Sequence, residues 1–126
     1  MFIDTDLLEK IVVKTVMDGG YSINMSTKKD SFDSGYFVSL DKTEVRVSIY
    51  KGTLLRGVIK EFLIANSDLL SAPDKVLGLW VDEGFIYVDV ATLIESFVTA
   101  RDVAITNEQL AIYDNYNKKT IYLNQI

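Results

Sequence analysis

Hydrophobic residues recur at helical spacing in three stretches of the chain, 5–18, 53–66 and 94–106. Each stretch places apolar side chains on one side and polar ones on the other, which is the pattern of an amphipathic helix packed on a neighbouring layer. Gly19-Gly20 follows the first stretch, where glycine commonly ends a helix, and Ser96 can cap the third. The pattern therefore predicts three helices.

Between these stretches the hydrophobic positions alternate with polar ones, which is typical of strands. Apart from the stretch 76–90, five short strands are predicted, at 21–25, 36–40, 44–50, 109–113 and 120–123. The first three follow one another along the chain, which predicts a meander. The last two flank a segment rich in Asp and Asn, which predicts a hairpin.

The stretch 76–90 has the clearest strand pattern. If Glu83-Gly84 form a two-residue turn, Asp82 pairs with Phe85 and Trp80 pairs with Tyr87. One face of the hairpin then carries aliphatic side chains for the core: Leu77, Leu79, Val81, Ile86, Val88 and Val90. The other face carries aromatic and acidic side chains: Trp80, Asp82, Phe85, Tyr87 and Asp89. A slip of one residue would exchange the two faces on one strand.

The predicted elements follow the order α-β-β-β-α-β-β-α-β-β, and neither a repeat nor a linker divides the chain. Strands joined by short turns favour antiparallel pairing, and amphipathic helices then cover one face of the sheet. We therefore expect an α+β fold in which residues 1–126 form a single domain. Its largely antiparallel sheet should carry about three packed helices.

Histidine and cysteine are both absent from the 126 residues. This excludes histidine-based and thiol catalysis, disulfides, haem or iron–sulfur ligation and the usual zinc sites, so we expect no cofactor and assign no catalytic residue. The acidic start, with Asp4 and Asp6, is unlike the basic region of a secretory signal. No apolar run approaches the ~20 residues of a membrane span, so we expect a cytoplasmic protein.

The net charge of −5 is unevenly distributed. Residues 67–117 hold nine acidic and two basic side chains, a net charge of −7. Such a balance argues against direct binding to nucleic acid, which requires a basic stripe to displace phosphate counterions. Two interpretations stay open: a solvated acidic surface, or an acidic face that meets a basic partner.

Asp82 and Asp89 are the best-placed carboxylates, because both fall on one face of the hairpin. Near aromatic side chains, two acids can act on a sugar or hold magnesium for phosphate chemistry. The simpler interpretation is that both are solubilising acids on the exposed side of a strand. The segment 30–35 has the oxygen ligands of a calcium loop but lacks its spacing and distal glutamate, so we assign no metal site.

The aromatic side chains suggest a contact surface. Trp80, Phe85, Tyr87, Tyr113 and Tyr122 would share a sheet face if the two hairpins were neighbours, and they would otherwise pack under a helix. Trp and Tyr are large, rigid anchors in protein interfaces. The candidate interaction surface consists of Trp80, Asp82, Glu83, Phe85, Tyr87, Asp89 and Tyr113.

Several segments have a familiar combination of motifs. These are 35–40 (GYFVSL), 68–70 (DLL), 77–82 (LGLWVD), 86–90 (IYVDV) and 109–114 (QLAIYD). Together they resemble a group of small proteins of phages and mobile elements, mainly of Gram-positive bacteria, over about residues 19–123. The resemblance implies an accessory protein of a phage or integrated element. It implies no activity and no catalytic residue, because the group has no assigned function.

These observations favour a non-enzymatic phage or mobile-element protein that binds a host or phage protein in the cytoplasm of the bacterial host. One version is an anti-defence inhibitor of a CRISPR or restriction enzyme, whose surface for nucleic acid is basic. A small structural protein that forms homo-oligomers by strand pairing is one alternative. A carboxylate- and magnesium-dependent hydrolase is the other. We expect no contact with a membrane.

Overall fold

The structure, a computed structural model, describes residues 4–40, 43–51 and 53–125. In this part of the chain four α-helices are present: α1 (Thr5–Asp18), α2 (Thr53–Ala65), α3 (Ser67–Leu70) and α4 (Phe97–Thr106). Seven strands accompany them: β1 (Gly20–Ile23), β2 (Tyr36–Ser39), β3 (Val45–Ser48), β4 (Lys75–Asp82), β5 (Phe85–Ile94), β6 (Ala111–Asp114) and β7 (Lys119–Tyr122). Short 3₁₀ turns occupy Ile49–Lys51 and Leu123–Gln125.

All seven strands form one antiparallel sheet, in which six follow the order β1-β4-β5-β2-β6-β7 and β3 pairs with β5 beside this path. The ten residues of β5 organise it, because β4 pairs along one edge while β2 and β3 pair end to end along the other. The predicted meander is therefore wrong, since β1, β2 and β3 do not pair with one another in the described chain. A strand of four residues is stabilised more by pairing with a long apolar strand than by pairing with another short strand.

The predicted hairpin register is confirmed. Asp82 lies opposite Phe85, and Trp80 lies opposite Tyr87. Glu83 and Gly84 have positive φ angles of 49° and 83°, as a two-residue turn of the I′ type requires. This turn fixes which side chains of β4 and β5 point to each face.

The helices pack on one face of the sheet. Over β4 and β5 they cover the aliphatic side chains predicted for the core, including Leu77, Val88 and Val90, which are fully buried. Farther along, Ala100 and Ala104 of α4 pack on Val38, Ile112 and their neighbours. Every strand residue of these two hydrophobic clusters points to this same face. The predicted α+β fold with an antiparallel sheet is confirmed.

The helix ends follow local signals. The Asp4 carboxylate accepts a hydrogen bond from the backbone N–H of Leu7, and Gly19 ends α1 in the left-handed conformation with φ 78°. The third predicted helix begins at Phe97, capped by Ser96, because β5 continues through Ile94. The additional helix α3 is a single turn that directly follows α2.

Candidate functional site: a groove on the open face of the sheet

The sheet face turned away from the helices, here called the open face, forms a groove of about 1180 Å³. Residues from both ends of the strand order line it, including Ser22 of β1 and Tyr122 of β7. Because two distant strands border one groove, the sheet is curled with the open face on its concave side.

Three aromatic side chains that pack on one another form part of the groove lining. Phe32, on the connection between β1 and β2, is 8% exposed and packs edge-on against Phe37 with ring centroids 5.0 Å apart. Phe37 in turn stacks on Tyr113 of β6 at 6.2 Å. Lys118 donates a hydrogen bond to the backbone oxygen of Phe32 and so fixes this connection to the β6–β7 turn.

In the segment 30–35, which has the oxygen ligands of a calcium loop, the first carboxylate contacts protein side chains. The Asp30 carboxylate accepts a hydrogen bond from the Tyr21 hydroxyl at 2.7 Å and pairs with Lys10 at 3.4 Å. These contacts lower the pKa of Asp30, chiefly through the Tyr21 hydrogen bond. Over residues 4–40, 43–51 and 53–125, no three acidic side chains come together in a way that would hold a metal ion.

Asp89 lies on the groove floor and is only 3% exposed. Ser39 of β2 donates a hydrogen bond to its Oδ2 at 2.5 Å. The residue opposite on β4 is Gly78, and a Cβ atom there would lie 2.7 Å from Asp89 Oδ1. Burial raises the pKa of Asp89 to about 6, while the Ser39 hydrogen bond lowers this pKa and the negative charge of Glu44 raises it further.

The expectation that Asp82 and Asp89 both sit on the solvent side of a strand is wrong for Asp89. Asp82 is exposed at the end of β4, whereas the curled sheet encloses Asp89. Asp89 pairs with Gly78, four residues before Asp82, which puts the two carboxylates roughly 13 Å apart at strand spacing. Glycosidase carboxylates lie about 5–9.5 Å apart, so this pair does not fit that chemistry.

Aromatic rings continue along the open face of the hairpin. Trp80, 36% exposed, stacks on Tyr87 with ring centroids 5.3 Å apart and planes inclined by 10°. Beyond them the guanidinium of Arg46 lies 4.6 Å from the centre of the Phe85 ring. The open face therefore already holds one cation against an aromatic ring.

The predicted interaction surface is divided by the structure. Trp80, Asp82, Asp89 and Tyr113 line the groove, whereas Glu83, Phe85 and Tyr87 lie at the turn end of the hairpin, outside its lining. The two hairpins are not neighbours, because β2 pairs between β5 and β6. Curling nevertheless brings Trp80 and Tyr122 into the lining of one groove.

The groove lining is strongly acidic. Its only basic residue in the described chain is Lys14, against six acidic ones: Asp18, Asp30, Glu44, Asp82, Asp89 and Glu108. Like charges around a concave surface reinforce one another and concentrate ions of opposite sign. The groove is therefore suited to a cationic ligand.

Sequence reasoning missed several groove residues, among them Ser39, Gly78 and Asn115. Gly78 interrupts an otherwise apolar strand, and Asp89 lies inside the nearly continuous apolar run of β5. A run of that kind is typical of a strand buried on both faces, so it was the signal that Asp89 is enclosed. Asn115, 3% exposed, also lines the groove, and no described residue accepts a hydrogen bond from its side-chain Nδ2.

No helix of the described chain is both long and apolar enough to cross a membrane. The chain matches no protein-family model, no curated protein and no solved structure.

Proposed function

We propose that this is a non-catalytic interaction protein whose groove binds a basic segment of a partner protein. One observation carries the proposal: the groove lining has six acidic residues and a single basic one. Aromatic side chains stand among these acids, and lysine and arginine favour such surroundings because their charge and their apolar stems are both accommodated. Direct binding of nucleic acid is disfavoured by the same charges.

The shape of the site defines how the partner would bind. The acids line a concave surface, so the partner inserts a protruding loop, tail or strand into this protein. A protein that imitated nucleic acid would instead need to present its acids outward. The geometry therefore favours sequestration of a basic segment over insertion of this protein into a nucleic-acid channel.

The biological setting is part of the proposal. The resemblance over residues 19–123 supports an accessory protein of a phage or mobile element, acting in the cytoplasm of its bacterial host. A basic segment that normally holds nucleic acid is a suitable target, because a protein that occupies it blocks nucleic-acid binding. An anti-defence inhibitor of a CRISPR or restriction enzyme would act in this way.

A peptide titration tests the proposal. Fluorescently labelled hexa-arginine is titrated with wild-type protein and its anisotropy is followed. A groove variant carries Asp18→Asn, Asp82→Asn and Glu108→Gln, three exposed acids that line the groove. A matched control carries Asp6→Asn, Glu61→Gln and Asp68→Asn, three exposed acids outside the groove.

Both variants lose three negative charges, so nonspecific attraction falls equally. We expect the groove variant to bind hexa-arginine at least about tenfold more weakly than the control does, since three charge contacts are lost. Equal affinities would place the binding outside the groove and contradict the proposal. Absence of wild-type binding at low salt would contradict it as well.

A second candidate function is self-assembly. The end of the sheet at β7 carries exposed apolar side chains, with Ile105 58%, Leu110 84% and Tyr122 53% exposed. An open edge strand beside apolar side chains can pair with a second copy. A dimer mass in light scattering that Leu110→Glu reduces to 14.2 kDa would support assembly, whereas a monomer at every concentration would contradict it.

A further inference from the structure

We propose that Asp89 anchors one lysine or arginine side chain of the partner segment at the floor of the groove, beside Gly78. This inference rests on the proposed function, because it specifies which contact the basic segment makes there. The exposed acids of the groove would attract the segment over a distance. Asp89 would select a side chain that is long enough for its cationic group to reach the floor of the groove.

The two oxygens of Asp89 differ in their contacts. Oδ2 accepts the hydrogen bond from Ser39, and no described residue donates a hydrogen bond to Oδ1. Gly78 makes room for Oδ1 itself, because a Cβ atom at that position would lie only 2.7 Å from it. A carboxylate with one oxygen held and the other free is ready for a charge-assisted hydrogen bond with an ammonium or guanidinium group.

Asp89 also lacks a counter-ion in the described chain. The five ion pairs among the described residues lie elsewhere, and the described charged neighbour that acts on Asp89 is Glu44, which is itself negative. A buried carboxylate without a counter-ion is destabilised. The raised pKa of about 6 agrees with this environment and still leaves the group ionised at neutral pH. A cationic side chain bound beside Asp89 would compensate the negative charge of this carboxylate.

The neighbouring rings suit the stem of such a side chain. Trp80 follows Gly78 by two residues on the same face of β4, and its ring remains 36% exposed. A long side chain that reaches Asp89 would pass along Trp80. Arg46 over Phe85 is an example of the same pairing within this chain.

An organic cation fits this position better than a metal ion. A metal would require several oxygen ligands, and the described residues bring no group of three acids together. A lysine or arginine requires one carboxylate and an apolar path. A free polyamine has the same ammonium chemistry, so the experiment distinguishes it from a side chain of a protein.

The test uses Asp89→Asn, which removes the charge and keeps the shape, with Asp82→Asn as its control at an exposed groove position. Hexa-arginine affinity is measured for both at about 150 mM and about 500 mM salt. We expect Asp89→Asn to weaken binding at least about tenfold at both concentrations, because an enclosed contact is little screened. The effect of Asp82→Asn should be smaller and should vanish at high salt. Thermal melts check that both variants fold.

A second readout locates the contact. Nα-acetyl-arginine amide should shift the backbone amide signal of Gly78 and the indole signal of Trp80 in a nuclear magnetic resonance titration of the wild-type protein. Nα-acetyl-citrulline amide, its neutral analogue, should leave both signals unchanged. Spermidine that shifts these signals while the arginine compound does not would overturn the proposal in favour of a free polyamine.

The outcomes separate the two proposals. If hexa-arginine binds wild type and Asp89→Asn equally while the triple groove variant binds weakly, the anchor role of Asp89 is refuted and the groove function stands. If hexa-arginine does not bind the wild-type protein, the groove function itself is refuted.

Discussion

Gly78 of β4 lies directly opposite Asp89 of β5, and a Cβ atom on Gly78 would be 2.7 Å from Asp89 Oδ1. The glycine therefore makes it possible for a carboxyl group to occupy the floor of a concave sheet face. Ser39, on the neighbouring strand, holds the other oxygen. Stability and its pH dependence should both depend on this small arrangement, and so should the proposed binding of a basic segment.

Gly78→Ala should destabilise the protein by about 1–3 kcal/mol, because the new methyl group displaces the Asp89 carboxyl or forces the strands apart. Urea unfolding measures the effect. Gly57→Ala is the matched control: Gly57 is an exposed helical residue with open space around it, so alanine there should stabilise by about 0.5–1 kcal/mol. Equal effects of the two substitutions would contradict the packing described at Gly78.

Asp89 should make the folded protein less stable as the pH rises from about 4 to about 7. Its pKa is about 6 in the folded protein against 3.8 for the free group, so folding favours the protonated form. The stability that protonation contributes is complete below the unfolded pKa and is lost as pH rises through the folded one, on the order of 3 kcal/mol.

Thermal or urea unfolding of wild type and Asp89→Asn between pH 4 and pH 7.5 checks this prediction. Carboxyl groups with lowered pKa, such as Asp30, act in the opposite direction but are common to both proteins. The difference between the two proteins therefore isolates Asp89. Asp89→Asn should gain stability relative to wild type as pH rises, and a constant difference would count against the burial of Asp89.

Trp80 should report ligand binding directly, because it is the only tryptophan and lines the groove. Bound hexa-arginine should change its fluorescence and protect it from acrylamide, since the 36% of Trp80 that is exposed becomes covered. Hexa-citrulline serves as the uncharged control. Saturating hexa-arginine that leaves both the emission and the quenching unchanged would show that the peptide does not lie along Trp80.

Local patterns predicted the seven strands, three of the four described helices and one register. Glu83-Gly84 defined the turn, and the alternation around it separated the core face from the open face of the hairpin. The pairing of β2 and β3 with β5 was not predictable in this way, because it joins residues 37–58 positions apart and local patterns do not encode such contacts.

The candidate site was predicted only in part for a related reason. Trp80, Asp82, Asp89 and Tyr113 were identified from the sequence and all line the groove. The enclosure of Asp89 depends on the curl of the whole sheet, to which β1 and β7 contribute from opposite ends. Ser39 and Gly78 acquire their roles only through strand pairing, and neither residue type indicates a binding site by itself.

Photo-crosslinking most directly tests the claim that the groove binds a basic segment. Hexa-arginine with a photoreactive group at one end is irradiated with the wild-type protein, and mass spectrometry locates the attached residues. We expect attachment to groove residues such as Trp80, Asp82 and Tyr113, with little attachment of a hexa-citrulline probe. Attachment mainly to the outer surface of α2, or equally by both probes, would contradict it.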